Sequence, residues 1–206
     1  MLKERIIKQA GKKFYRHGVK RVSMDDLASS LGISKRTLYE NFKDKEDILN
    51  SYLRSVKEAR DKQFKAYADE SSNMIEVVLK IIEYHASQEL PSVRLYEDVY
   101  KYYPNIHQQI QDDVDMNKYY FRQFLTEGVE QGFIRKELNL DAVAFLMEQN
   151  NYNFMRASYV KDPLSEASNF TFKELFSTML INFIRGISTN KGIEIIDNYL
   201  AEQTNK

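Results

Sequence analysis

Apolar residues recur every three or four positions along most of the chain, which is the spacing of one face of an α-helix. In the first such segment, residues 2–17, the apolar face consists of Leu2, Ile6, Ile7, Ala10 and Phe14. No segment alternates apolar and polar residues in the way that a half-buried strand would. The pattern therefore predicts an all-α fold.

Gly, Pro and short polar runs separate this first helix from the helical segments that follow. We expect Ser188 to Gly192 to form a turn before a short last helix. The predicted helices after the first one cover 24–31, 35–42, 45–67, a segment from Met74 onward, 92–103, 104–132, 141–159, 172–187 and a short segment from Ile193.

Residues 23–34 contain the strongest local signals. Ser23 stands where an N-cap would, and Asp26 follows at the capping-box spacing, with Asp in place of Glu. Gly32 ends this helix, since Gly adopts the left-handed C′ conformation most easily. Ser34 is the next N-cap. These signals predict two short helices joined by a tight turn.

The second of these helices places Leu38 and Phe42 four residues apart on its inward face. Its other side then presents two cations, a hydroxyl and a phenol close to the N-terminus of a short helix. A helix-turn-helix motif uses such groups to reach base edges and phosphates in the major groove. The outward residues are Lys35, Arg36, Thr37 and Tyr39.

This segment resembles the DNA-binding segment of the tetracycline-repressor (TetR/AcrR) family of bacterial transcription regulators. The chain departs from the family pattern at Ser23, where Thr is frequent, and at Asn41, where an aromatic residue or His is frequent. Arg36 occupies a variable position, so no base preference is transferred. The matching residues are Gly18, Ser23, Met24, Leu27, Ala28, Leu31, Gly32, Ile33, Ser34, Thr37, Leu38, Tyr39, Phe42, Lys45 and Glu46.

The motif and the resemblance together predict the DNA contacts. Arg21 lies just before the second helix, where it can approach a phosphate. The resemblance makes Lys45 a phosphate contact beside a helix N-terminus that Asp44 caps; the alternative is that Lys45 pairs with local carboxylates. The full set of predicted DNA-binding residues is Arg21, Ser23, Ser34, Lys35, Arg36, Thr37, Tyr39 and Lys45.

The charge distribution agrees with a nucleic-acid partner, although the chain as a whole has a net charge of zero. Residues 1–65 contain 17 Lys and Arg against 9 Asp and Glu, whereas the remaining residues contain 13 against 21. The positive excess thus coincides with the motif. We predict a helix-turn-helix domain at 1–47 and a helical effector-binding and dimerisation domain at 48–206.

The segments 142–159 and 171–187 are too apolar for helices that bury only one face. They are candidates for the interface of a homodimer, and the resemblance implies the same, because these regulators pair their last long helices in a four-helix bundle. The alternative is that both helices are buried in the core of one subunit.

The resemblance also implies a cavity for a small-molecule effector between the middle helices. Polar groups that could line such a cavity occur at His85, Tyr96, Tyr103, Tyr120 and Asn150. The alternative is that these side chains serve packing, since aromatic residues at helical spacing are mostly core residues. The sequence identifies no class of ligand.

Several other functions have little support. The chain has no Cys, and none of its three His has a Glu three residues before it, as a helical di-iron site would require. His85 and Glu89 alone fall short of a metal site. The first residues do not have the pattern of a signal peptide, so we expect a cytoplasmic protein. We expect neither a cofactor nor enzymatic activity.

The sequence thus predicts a transcription regulator that binds a pseudo-palindromic operator on double-stranded DNA as a homodimer and is released by a small molecule. The family bias favours repression. The alternative is a protein-interaction module that retains the motif but acts on another protein.

Overall fold

A computed structural model describes residues 1–87, 93–159 and 171–204. Within these residues no strand occurs, and the nearest approach to one is a single bridge between Ile134 and Ser188. The described helices are α1 (Leu2–His17), α2 (Met24–Leu31), α3 (Lys35–Asn41), α4 (Lys45–Glu70), α5 (Met74–Ser87), α6 (Val93–Tyr102), α7 (Pro104–Glu130), α8 (Leu140–Tyr159), α9 (Phe172–Ile187) and α10 (Asn190–Thr204).

The predicted all-α fold is confirmed, and most helices lie within a few residues of their predicted limits. The last helix differs from the prediction. It begins at Asn190 rather than at Ile193, because Thr189 caps it: the Ile193 amide donates to the Thr189 carbonyl at 2.9 Å. Gly192 therefore lies in the first turn of α10 rather than in a loop. Glu89, Pro91 and Pro163 lie outside the described residues.

The chain divides into two compact units, of which the first comprises residues 1–62 and 89–113. This basic unit has one apolar core, built from α1 to α4 together with α6 and the start of α7. Its fully buried residues include Ile6, Phe14, Leu27, Leu38 and Ile48. The unit is larger than the predicted domain at 1–47, because α6 packs against the same core. The predicted boundary after residue 47 stays a prediction.

The second unit comprises residues 63–88 and 114–206. Its described core residues come mainly from α5, α7, α9 and α10. Backbone hydrogen bonds tie the end of α7 to the α9–α10 turn: Arg135 N donates to Ile187 O at 3.0 Å, and Thr189 N donates to Phe133 O at 2.9 Å. These bonds fix where α9 ends and α10 begins.

Candidate nucleic-acid interface

The cap of α2 forms as predicted and fixes the start of the motif. The Ser23 hydroxyl accepts from the Asp26 amide at 3.0 Å, and the Asp26 carboxylate accepts from the Ser23 hydroxyl and amide at 2.6 and 2.9 Å. These hydrogen bonds hold the pKa of Asp26 below its ordinary value. At the other end Gly32 has φ 64°, so the turn uses the left-handed conformation that Gly tolerates.

Helix α3 separates an inward and an outward side as the sequence predicts. Ser34 caps it by accepting from the Thr37 amide at 3.0 Å. Leu38 is fully buried and Phe42 nearly so, which anchors the helix on the core of the first unit. Tyr39 is 48% exposed. The phenol therefore extends into solvent directly beside the residue that anchors the helix.

Both cations of α3 are exposed, and the partners they have among the described residues are surface carboxylates. Lys35 Nζ lies 3.0 Å from an oxygen of Asp25, which raises the pKa of Lys35. Arg36 Nε lies 3.0 Å from an oxygen of Glu40, and its side chain is 89% exposed. Exposed ion pairs contribute little free energy. Either cation could therefore exchange its carboxylate for a phosphate or a base edge at small cost.

The turn between α1 and α2 carries two adjacent cations with different environments. Lys20 Nζ donates to the Tyr102 hydroxyl at 2.9 Å and lies 4.8 Å from the centre of that ring. Arg21 is exposed, and no hydrogen bond or ion pair to its side chain occurs within the described part of the chain. Of these two neighbours, Arg21 has the side chain that is ready to bind a phosphate.

Lys45 has partners that the sequence did not indicate. Its ammonium group donates to the carbonyl oxygens of Val19 at 2.8 Å and Val22 at 2.9 Å. It thus holds the end of the α1–α2 turn instead of pairing with nearby carboxylates. Burial lowers the pKa of Lys45, and the negative charge of Asp98 partly opposes this effect. A phosphate contact by Lys45 stays a prediction, for which the third ammonium hydrogen is available.

Asp98 was not among the residues predicted from the sequence, although it belongs to the same unit. Asp98 lies on α6, is 9% exposed, and accepts a hydrogen bond of 2.7 Å from the Lys20 amide. The available signal was its position between Leu95 and Val99, which places a carboxylate on the buried face of an amphipathic helix. Such a carboxylate needs a specific partner.

The five predicted effector-binding residues do not cluster within either unit. Tyr96 and Tyr103 belong to the first unit, where Tyr103 packs against the core. His85, Tyr120 and Asn150 belong to the second unit, where Tyr120 is 58% exposed. A ligand role for each of them stays a prediction.

The described residues contain neither a metal-binding cluster nor a membrane-spanning helix. No group of three or more His, Asp or Glu there could hold a metal ion. None of the described helices combines the length and the apolar character that crossing a bilayer requires.

Comparison with known proteins identifies the motif. Residues 6–52 match the model of the bacterial regulatory proteins of the tetR family. The chain is 23% identical over 147 residues to the HTH-type transcriptional repressor KstR2 of Mycobacterium tuberculosis, covering 67% of this chain and 72% of that one. It is 37% identical over 67 residues to the regulator SAB2452 of Staphylococcus aureus, covering 29% and 36%.

The fold also matches solved structures over most of the chain. A transcriptional regulator from Saccharomonospora viridis, solved in complex with choline, has a TM-score of 0.73 at 20% identity, covering 92% of this chain and 98% of that one. The relatives of this chain are transcription regulators and not enzymes. The helix-turn-helix geometry of α2 and α3 and the match over residues 6–52 lead to one conclusion: this segment is a DNA-binding domain of the tetR family of bacterial regulatory proteins, and the chain is a DNA-binding transcriptional regulator.

Proposed function

We propose that this regulator is a homodimeric repressor that binds a pseudo-palindromic operator and is released by a small-molecule effector. The observation that carries the proposal is the division of α3 into two sides. Leu38 is fully buried while Tyr39 and Arg36 project into solvent from the same helix. A recognition helix needs this arrangement to keep its shape while its outward side enters the major groove.

The predicted DNA contacts would be of two kinds, contacts to phosphates and contacts to bases. Phosphate contacts from Arg21, Lys45, Ser34 and Ser23, whose hydroxyl would exchange the Asp26 carboxylate for a phosphate, would supply affinity and orientation without reading sequence. Base contacts would come from the next part of α3. A guanidinium such as that of Arg36 pairs best with the O6 and N7 acceptors of guanine. The remaining predicted contacts on α3 are Lys35, Thr37 and Tyr39.

Exposed apolar side chains on α8 and α9 support a dimer. Phe145 and Leu146 on α8 are 59% and 53% exposed, and Leu175 on α9 is 43% exposed. An open groove of about 630 Å³ also runs along α9, between Lys173 and Arg185. Large apolar groups on two neighbouring helices favour burial against a second copy. The side chains of residues 151–159 in the predicted interface at 142–159 lie outside the described set.

An aromatic cluster in the second unit supports an effector site. Phe64 contacts Tyr84 and His85 edge to face, with ring centres 5.4 and 5.6 Å apart. His85 in turn lies 6.2 Å from Phe176 on α9. A ligand that separated these rings would bury its own apolar surface among them. The similar regulator from Saccharomonospora viridis is solved with choline, which is consistent with a small-molecule effector here.

Selection of bound duplexes from a random pool tests the proposed function. The wild type should enrich an inverted repeat whose half-sites are about one helical turn, or a small adjustment of it, apart. Tyr39→Ala should lose that enrichment while keeping its helical content, because Tyr39 contributes nothing to the core. Lack of any enriched sequence for the wild type, with and without cell metabolites, would favour the protein-interaction alternative.

The dimer requires its own experiment. Leu146→Glu should shift the protein from dimer to monomer in sedimentation, since it places a charge in the proposed interface. Tyr119→Glu on α7 is the control: it introduces the same charge at a large side chain that is similarly exposed, at 57%, outside the helices that we assign to the interface. Equal dissociation by both substitutions, or by neither, would contradict an interface centred on α8 and α9.

A further inference from the structure

Helix α6 packs against the core of the first unit and closely approaches the turn that joins α1 to α2. Gly18 in this turn has φ 79°, and a β-carbon there would lie 2.7 Å from Oδ2 of Asp98 and 2.8 Å from Cβ of Arg94. No side chain larger than hydrogen fits between the turn and α6 without displacing one of them. The close approach of the turn to α6 thus depends on the glycine at position 18.

Asp98 uses this approach to hold the turn by its backbone. Its carboxylate accepts from the Lys20 amide at 2.7 Å, and it is one of two polar residues that are buried among the described residues. Its charge also acts favourably on the Lys45 ammonium, which binds the carbonyls at either end of the same turn. The Val19 carbonyl, the Lys20 amide and the Val22 carbonyl therefore each have a fixed partner, and they lie on both sides of Arg21 in the chain.

We propose that Asp98 is a positioning residue for DNA binding, which fixes the turn so that the Arg21 guanidinium meets a phosphate. The neighbouring Lys20 is held differently, because its ammonium donates to the hydroxyl of Tyr102 on α6. Asp98 itself touches no DNA. This inference rests on the proposed function and adds to it a residue, outside the helix-turn-helix motif, on which the affinity for DNA depends.

Replacing Asp98 should change the affinity for DNA in opposite directions, depending on whether this residue acts by positioning the turn or only through its charge. Removing a negative charge close to a DNA-binding surface should strengthen DNA binding through the long-range field alone. Removing a positioning residue should weaken it. Glu97 gives a matched control, since it is the exposed neighbour of Asp98 on α6 and carries the same charge.

The test measures DNA affinity against salt concentration for Asp98→Ala, Glu97→Ala, Arg21→Ala and the double substitution of Asp98 and Arg21. The probe is a random-sequence duplex at low salt, because phosphate contacts do not depend on base sequence. We expect Asp98→Ala to weaken binding by about tenfold, within the usual range for coupled residues. It should also lower the slope of log affinity against log salt by about one, as Arg21→Ala does.

The double variant gives the decisive comparison. If Asp98 acts through Arg21, adding Asp98→Ala to Arg21→Ala should neither weaken binding nor lower the slope further, and only the small field effect seen for Glu97→Ala should remain. Additive effects, or Asp98→Ala binding as tightly as Glu97→Ala, would overturn the inference. An enriched inverted repeat combined with either of those results would leave the proposed function intact and remove only the role of Asp98.

Hydrogen exchange tests the same contact in the unaltered protein, even if Asp98→Ala does not fold. The Lys20 amide lies in an exposed turn, so its protection depends on the bond to Asp98. We expect the Lys20 amide to exchange at least tenfold more slowly than the neighbouring Arg21 amide, for which no acceptor occurs within the described residues. Equal, fast exchange at both positions would contradict the inference.

Discussion

Replacing Lys45 by Met removes the ammonium group and keeps most of the length of the side chain. In the wild type this group donates to the carbonyl oxygens of Val19 and Val22 at 2.8 and 2.9 Å. Both of these residues are buried. The substitution therefore leaves two carbonyl groups at the α1–α2 turn without their donor.

The magnitude follows from the number and the exposure of these bonds. A hydrogen bond from a charged donor contributes about 1.5–3 kcal/mol, and less where water can replace the donor. Lys45 is half-buried, so water can reach the carbonyls in part. We therefore expect Lys45→Met to lower the free energy of unfolding by about 2 kcal/mol, which is a large part of the stability of a small domain.

The assay is urea unfolding followed by helical circular dichroism, with Lys43→Met as the control. Lys43 is exposed, lies two residues away, and loses the same charge. A drop of about 2 kcal/mol for Lys45→Met with a change below about 0.5 kcal/mol for Lys43→Met is the expected result. Equal stabilities for the two variants would refute the reasoning. If Lys45 also contacts a phosphate, its loss should lower the salt slope of DNA binding by about one.

Three further predictions concern packing and titration. Leu38→Asp should abolish DNA binding and the exchange protection of α3, at a cost of roughly 3 kcal/mol or more, because it buries an unpaired charge; retained binding would be inconsistent with the inward orientation of Leu38. Gly11→Ala should lower the melting temperature, since a β-carbon at this position would lie 2.1 Å from the Tyr52 ring. A β-carbon at Gly186 would have no atom within 4 Å, so Gly186→Ala should stabilise its helix by about 0.5–1 kcal/mol. A change of stability in the same direction for both variants would refute the packing argument. In the folded protein Asp26 has a pKa below its ordinary value of 3.8. Its stabilising effect is therefore complete above pH 3.8 and is lost as the pH falls through the folded-state pKa. The melting temperature should accordingly fall less steeply with acid in Asp26→Asn than in the wild type, and superimposable titrations would exclude this contribution.

The features that the sequence predicted best are the local ones. The caps at Ser23 and Ser34 form as expected, because each depends on a side chain and an amide three residues away. The inward orientation of Leu38 follows equally from helical periodicity. The same local signals carry the resemblance to the family, which is why the motif was identified from the first quarter of the chain.

The features that sequence analysis missed depend on distant residues. The bond between the Lys20 amide and Asp98 joins positions 78 residues apart, and the bonds from Lys45 reach back 26 and 23 residues. No periodicity or cap signal encodes such pairs. The packing of α6 against the core of the first unit is a long-range feature of the same kind, since α6 follows α3 by more than 50 residues in the chain.

The central claim is that α3 reads base pairs in two symmetric half-sites, and a change of specificity tests it more directly than a loss of binding. Selection from a random duplex pool should be run on the wild type and on Arg36→Ala. Arg36 is highly exposed on α3, and Arg reads guanine more often than any other base. The account predicts two inverted repeats that differ at one or two symmetric positions, with the wild type preferring guanine there. Identical enriched sequences for both proteins would contradict base reading by Arg36, and the absence of an inverted repeat from both would contradict a symmetric dimer reading DNA through α3.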